Sequence, residues 1–328
     1  MRLTRRGWTA VAVFVLAFVL GWRFGARSLN AVAAPLLAAL LVGAVSVRRA
    51  DRPSTELSAV SPGFQDETRH FTVTVDGDGL ATAAVSLPDG VAIDRPAATV
   101  RLPHTLEYTL HLEERGAYTL GPVTVAQRGP LGFVEERFVT SDTTRLVVYP
   151  RPYNLPGVTS LLSQFDTGFA TEPGEFDHLR EYRPDDAFRR IHWKSSAKRD
   201  ELVVLSYAPV DREQAVTVVA TSTRSCADEM ATAAITVVEA LLDAGFSVAL
   251  VLPSTRLPPG RGADHRETVR RSLAVADSGL VSRPDEAAAD IIIDARSSAT
   301  TVRAGGQSAA LESLVGRPVQ TPSVKVNA

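Results

Sequence analysis

Two runs without a single charged residue stand near the start of the chain, Gly7 to Trp22 and Leu29 to Val47, and no other feature restricts the fold so tightly. An apolar stretch of about 20 residues is what an α-helix needs to cross a bilayer. The first run is a little short of that, but Trp8 and Trp22 stand at its ends, where interfacial anchors belong. The start MRLTRR followed by an apolar run also fits a cleaved signal peptide. Against this, a second apolar run follows almost at once, and no small-x-small cleavage site separates the two. The favoured reading is a transmembrane helical hairpin over residues 1–50, with spans at about 7–23 and 29–47. Arg2, Arg5 and Arg6 precede the first span and Arg48, Arg49 and Arg52 follow the second, whereas the connection carries only Arg23 and Arg27. The positive-inside rule then puts both outer ends, and everything after residue 50, in the cytoplasm. The expected location is the cell membrane, multi-pass with two spans.

The chain has 328 residues, room for roughly two further domains. A net charge of -2 gives no basic excess to neutralise phosphates, so no nucleic-acid partner is expected. The single cysteine, Cys226, excludes an internal disulfide and a cysteine-built zinc site, which fits a reducing compartment.

Residues 54–150 consist of short alternating or β-branched runs such as HFTVTVDGDG and LEYTLHLEERGAYTLGPVTV, broken by Gly, Pro and Asp. Seven or so strands in about 100 residues suggest an all-β immunoglobulin-like sandwich. Asp76-Gly77 and Asp89-Gly90 read as turns, since glycine tolerates positive φ. A proline-rich connection follows at 151–173. From 174 to 318 apolar strands alternate with helices: LVVLSY, AVTVVATS, a helix from Asp228 to Gly245, FSVALVL, a basic helix around His265 to Ala276, ADIIIDA, and a last helix near Ser308 to Val315. That alternation indicates an α/β domain built on a parallel sheet covered on both faces. Residues 319–328 read as a tail.

The densest chemistry lies in Gly174 to Glu201, GEFDHLREYRPDDAFRRIHWKSSAKRDE, with seven acidic and seven basic side chains interleaved with aromatic and aliphatic ones. With the residues that precede it (RGAYTLGPVTVAQRGPLGF, LVVYPRP), this stretch resembles the signature of the DUF58 family. The resemblance implies a membrane hairpin, a β domain and a von Willebrand factor A-like (Rossmann-type) α/β domain. It also implies an accessory role beside a MoxR-type AAA+ ATPase, in assembly or maturation of a protein complex, with no established enzymatic activity. Two departures stand out: Asp185 where the family often has glycine, and Gly129-Pro130-Leu131-Gly132 where it often has Asp-Pro-Leu-Gly. A third concerns metal. Metal-binding A domains carry Asp-x-Ser-x-Ser after the first strand, because a hard cation needs a carboxylate and hydroxyl oxygens together. Here Ala220, Ser222 and Arg224 occupy those positions, a degenerate motif that lacks the carboxylate and adds a positive charge, so no metal and no other cofactor is expected.

Three readings of the charged stretch remain open. Arg180, Arg183, Arg189, Arg190 and Arg199 can brace the fold by pairing with Glu175, Glu181, Asp186 and Glu201, with Asp185 or Asp186 capping a short helix. Alternatively Arg180, Glu181, Tyr182, Arg183, Asp186, Arg189, Arg190, His192, Trp193 and Lys194 form a docking surface, since Arg and Trp dominate interface hot spots. The third reading is catalysis by His178 or His192 with Asp177 or Glu181, which needs a nucleophile or metal within reach. The sequence has no nucleophile elbow or H-E-x-x-H spacing, and Gly260-Arg261-Gly262 lacks the spacing and lysine of a phosphate loop. The expectation is a non-enzymatic, membrane-tethered adaptor with no catalytic residues. The alternative is a hydrolase or metal-dependent enzyme using the 174–201 stretch.

Overall fold

The computed structural model describes residues 1–25, 27–94, 96–155, 176–181, 203–207, 215–296 and 299–315, in two compact units, Met1–Tyr149 and Pro150–Ala328.

The first unit opens with β1 (Arg2–Leu3), followed by helices α1 (Arg5–Phe24) and α2 (Asn30–Arg49). Both helices are long and apolar enough to cross a bilayer. Thr4 caps α1, its hydroxyl accepting the Gly7 N–H at 3.1 Å, and Gly25 ends the helix with φ 67°. What the two helices bury is mostly small: Gly7, Ala10 and Ala17 in one, Ala33 and Gly43 in the other. Small residues let helix backbones approach, whereas Leu16, Phe18, Leu41 and Val42 stay exposed, a distribution suited to an apolar solvent.

Eleven strands follow: β2 (Ser54–Leu57), β3 (Gly63–Phe64), β4 (Thr68–Asp76), β5 (Leu80–Val85), β6 (Val91–Ile93), β7 (Ala97–Arg101), β8 (His104–Leu112), β9 (Gly116–Leu120), β10 (Val123–Arg128), β11 (Val134–Val139) and β12 (Thr144–Tyr149). They form sheets ordered β1-β11-β10-β5-β7, β2-β4-β8-β6 and β3-β12-β9. Alternation along β4 and β8 buries Phe71, Val73 and Val75 against Leu110 and Leu112, while β5 and β10 supply Ala81, Ala83, Val123 and Val125 from the other side of the core. Phe71 and Tyr108 sit opposite each other across β4 and β8 with ring centroids 5.2 Å apart, an offset pair worth ~0.5–1.5 kcal/mol beyond its burial. The two Asp-Gly turns do not close hairpins. Gly77 and Gly90, both at positive φ, sit where the chain crosses from one sheet to the other, since β5 pairs with β7 and β10 rather than with β4 or β6.

The hairpin is built into this β domain. Arg2 and Leu3 pair with Glu135 and Val134 of β11, the Thr4 N–H donates to Phe133 O at 2.9 Å, and the Thr4 hydroxyl donates to Gly132 O at 2.6 Å. A Cβ on Gly129 would stand 3.1 Å from the Gly43 carbonyl oxygen of α2. The absence of a side chain at Gly129 thus lets this loop lie against the second helix.

In the second unit β13 (Phe176–Glu181) and β14 (Val203–Tyr207) form an antiparallel ribbon with a bulge between Phe176 and His178. Then come β15 (Ala215–Ser222), α3 (Ala227–Asp243), β16 (Ser247–Val251), β17 (Arg256–Gly260), α4 (Ala263–Ala274), α5 (Arg283–Ala287), β18 (Ile291–Ala295), β19 (Thr301–Ala304), β20 (Gln307–Ala310) and α6 (Leu311–Leu314). The sheet order is β17-β16-β15-β18-β19-β20. Only β16, β15 and β18 are mutually parallel; β17, β19 and β20 pair antiparallel. The sheet is therefore mixed, not the wholly parallel one expected from the alternation. The cause is local. Gly305 and Gly306, at φ 56° and 82°, close a two-residue hairpin between Ala304 and Gln307, so residues expected to open the last helix extend as β20 instead. Helix α3 lies across β15, β16 and β18 and buries Met230, Ile235, Val238 and Leu241. Its N-cap position is Cys226, which makes no side-chain cap bond; Asp228, where the sequence predicts the helix to begin, lies in the first turn.

Candidate functional site at the carboxyl edge of the parallel strands

Of the residues singled out in the charged stretch, Arg180 and Glu181 lie on β13, paired in register with Val204 and Val203. Tyr182, Arg183, Asp186, Arg189, Arg190, His192, Trp193 and Lys194 lie outside the described residues, as does the expected short helix. The site that can be built from side chains is the edge where β15 and β18 end.

From β15 the chain leaves through α3 to β16 on one side, and from β16 it returns to β18 on the other. The carboxyl end of β15 is therefore a topological switch point, the place where open α/β sheets form a crevice. Ser222 closes β15 opposite Ala295 of β18. Its N–H donates to Gly279 O at 2.9 Å and the Thr221 hydroxyl donates to the same carbonyl at 3.0 Å. These bonds fix the strand end, but the Ser222 hydroxyl, in a residue only 1% exposed, has no hydrogen-bond partner among the described residues. After Thr223 the chain makes one 3₁₀ turn, Arg224–Cys226, and enters α3. Ala220 is fully buried within the strand and Arg224 is exposed on the turn.

Asp294 is the one carboxylate on the three parallel strands. It lies beside Thr221 in register and is held by Arg296, whose Nε is 2.8 Å away and whose Nη2 also bonds it; Arg303 adds a contact at 3.6 Å. The Arg296 hydrogen bonds, against the opposing effect of burial, hold this carboxyl below the usual carboxylate range. Glu229 accepts a long bond from the Thr300 hydroxyl at 3.5 Å. The strand-borne carboxylate at this edge is thus already neutralised, and Arg224 on the turn is followed by Asp228 and Glu229 in the first turn of α3. Among the described residues no group of three or more His, Cys, Asp or Glu side chains could hold a metal ion.

A second polar cluster was not singled out from the sequence. Glu239 and Asp243 on α3 face Arg266 and Arg270 on α4. Glu239, 13% exposed, receives Arg266 Nη1 at 2.8 Å and Arg270 Nε at 2.7 Å, and Arg266 Nη2 reaches Asp243 at 2.7 Å. Beside it the Tyr153 N–H donates to the Thr236 hydroxyl at 2.9 Å, tying the first residues of the connection to α3. A cavity of ≈ 570 Å³ lies among these groups, lined also by Asn154 and Leu155. The signal was the spacing: two acids four apart on one helix and two arginines four apart on the next make complementary stripes.

Residues 178–314 match the model of the family described as protein of unknown function DUF58. The DUF58 span takes in most of the ribbon and all of the six-stranded sheet, and so contains both polar clusters. No curated protein matches the chain. Among solved structures the chain is similar to the CARDB domain of a Pyrococcus furiosus protein (15% identity, TM-score 0.23, 30% of this chain and 93% of that one). It is also similar to the PKD domain of an M14-like peptidase from a Thermoplasmatales archaeon (16%, 0.22, 30% and 95%) and to the C. elegans MSP family member WR4 (7%, 0.21, 28% and 98%). The chain spans 57% of the YadV chaperone, which it matches at 14% identity and TM-score 0.24. Likenesses at this level carry no argument about function.

Proposed function

We propose that the chain is a non-enzymatic, membrane-tethered adaptor whose α/β unit receives a partner protein, with a MoxR-type AAA+ ATPase as the partner implied by the DUF58 resemblance. The observation that carries the reading is the Asp294–Arg296–Arg303 arrangement. At the strand edge where an α/β sheet would gather catalytic or metal-binding groups, the one strand-borne carboxylate is spent on internal ion pairs. The central order β17-β16-β15-β18, with α3 as the first crossover, supports reading this unit as a curtailed von Willebrand factor A-like domain. The facing sheets of the β domain support an immunoglobulin-like sandwich. The flanking arginines favour a cytoplasmic position for both units.

The test is capture of the tagged full-length chain from native membranes in mild detergent. Recovery of an AAA+ ATPase with the wild-type chain, and its loss in Arg189→Glu/Arg190→Glu at unchanged thermal stability, is the expected result. An eluate free of any AAA+ ATPase overturns the reading, and hydrolase activity in the purified chain that is lost with His178→Ala or His192→Ala would replace it.

A further inference from the structure

The last turn of α2 does not end against a closed surface. Between it and the β domain lies a cavity of ≈ 570 Å³, lined by Ser46 and Arg49 of the helix, Asp78 and Arg101 at one end of β5 and β7, and Gln127 and Arg128 of β10. Three arginines against one aspartate give the lining a positive balance. Arg128 is shared with Glu135, at 3.6 Å, whereas Arg49 and Arg101 have no ionic partner among the described residues. Gln127 forms part of the wall. It is 2% exposed, and its amide Nε2 donates to the Asp78 carbonyl at 2.5 Å, which fixes the orientation of the amide. Its Oε1 is buried, with no donor among the described residues.

Location narrows the ligand. The cavity opens at Arg49, the final residue of an apolar helix long enough to span a bilayer. That is the depth at which phosphodiester groups of lipids lie, and paired guanidinium groups are the preferred receptors of such oxygens. We propose that the cavity is a headgroup site for an anionic phospholipid of the phosphatidylglycerol type. Its phosphate lies between Arg49 and Arg101. The inference rests on reading α1 and α2 as membrane spans.

The full-length chain in detergent micelles is offered an equal mixture of phosphatidylglycerol, phosphatidylethanolamine and phosphatidylcholine, and bound lipid is read by native mass spectrometry. Phosphatidylglycerol is expected to be retained preferentially, with the preference falling on the order of tenfold in Arg49→Gln/Arg101→Gln. Equal retention of the three lipids, or an unaltered preference in the double variant, overturns the proposal. Release of the lipid by glycerol 3-phosphate would assign the site to a soluble phosphate ester and overturn the lipid assignment. Alkaline carbonate extraction of native membranes tests the span reading separately: a chain recovered in the soluble fraction removes the membrane, whatever the lipid data show.

Discussion

A Cβ atom added at Gly7 would stand 2.1 Å from the carbonyl oxygen of Phe133. The first turn of α1 and the loop before β11 therefore touch backbone to backbone, and neither side has a flexible group that can give way. Gly7→Ala is expected to destabilise the first unit by ~1–3 kcal/mol, the usual cost of overpacking. Gly25→Ala is the control: the site is open but φ is 67°, so only the left-handed strain of ~1–2 kcal/mol applies. Limited proteolysis between α1 and β11 distinguishes them, since only the Gly7 variant should expose that loop.

Asp294 predicts a pH dependence. Its carboxyl titrates lower in the folded chain than when unfolded, chiefly through Arg296. Its contribution is thus complete above the ordinary carboxylate value of about 4 and is lost as pH falls through the lower folded value. Asp294→Asn should cost roughly 1.5–3 kcal/mol at neutral pH, the range for hydrogen bonds to a charged group, and should flatten the acid limb of the stability profile. Denaturant melts from neutral to strongly acid pH would measure both; an acid limb as steep as in the wild type rules out this carboxylate as its source.

The α3–α4 cluster should behave as a unit. Glu239→Gln removes the negative charge that Arg266 and Arg270 share and replaces one acceptor oxygen by a donor, and is expected to cost ~1–3 kcal/mol. Arg270→Gln should cost less, because Arg266 still satisfies Glu239. The double variant should fall short of the sum by ~0.5 kcal/mol or more, the mark of side chains in one network. Hydrogen exchange along α3 and α4 is the readout, and strict additivity would show that the pairs act independently.

The degenerate motif can be rebuilt. Ala220→Asp alone places a carboxylate in a fully buried position and should be strongly destabilising. If the A-like reading holds, Ala220→Asp/Arg224→Ser restores the cation-binding pattern, and Mg²⁺ should then raise the melting temperature of the double variant but not of the wild type. Absence of any Mg²⁺ effect in a folded double variant would count against an A-like architecture at this edge.

Much of this architecture was legible because the relevant patterns are long. The charge-free runs gave both apolar helices, and alternation through Phe71, Val73 and Val75 marked a half-buried strand. What escaped notice was short or distant. Arg2 and Leu3 carry no pattern of their own and become a strand only because β11, more than 130 residues later, offers an edge. Gly305-Gly306 did carry a hairpin signal, but the helical propensity of the residues after it suggested continued alternation. The charged stretch is the opposite case: its composition drew attention from the start, yet only Phe176–Glu181 of it falls within the described residues. The α3–α4 ion pairs, Glu239 with Arg266 and Arg270, join two helices that are legible as helices but whose charges are too sparse to mark a cluster.

The pairing of β1 with β11 has a mechanical consequence. A domain joined to a membrane stem by one covalent linker can swivel about it. Here the β domain is attached at two points, by the chain leaving α2 and by the sheet hydrogen bonds that receive the chain entering α1. Two attachments remove the swivel, so a torque applied to the β domain is delivered to both helices as a tilt of the pair.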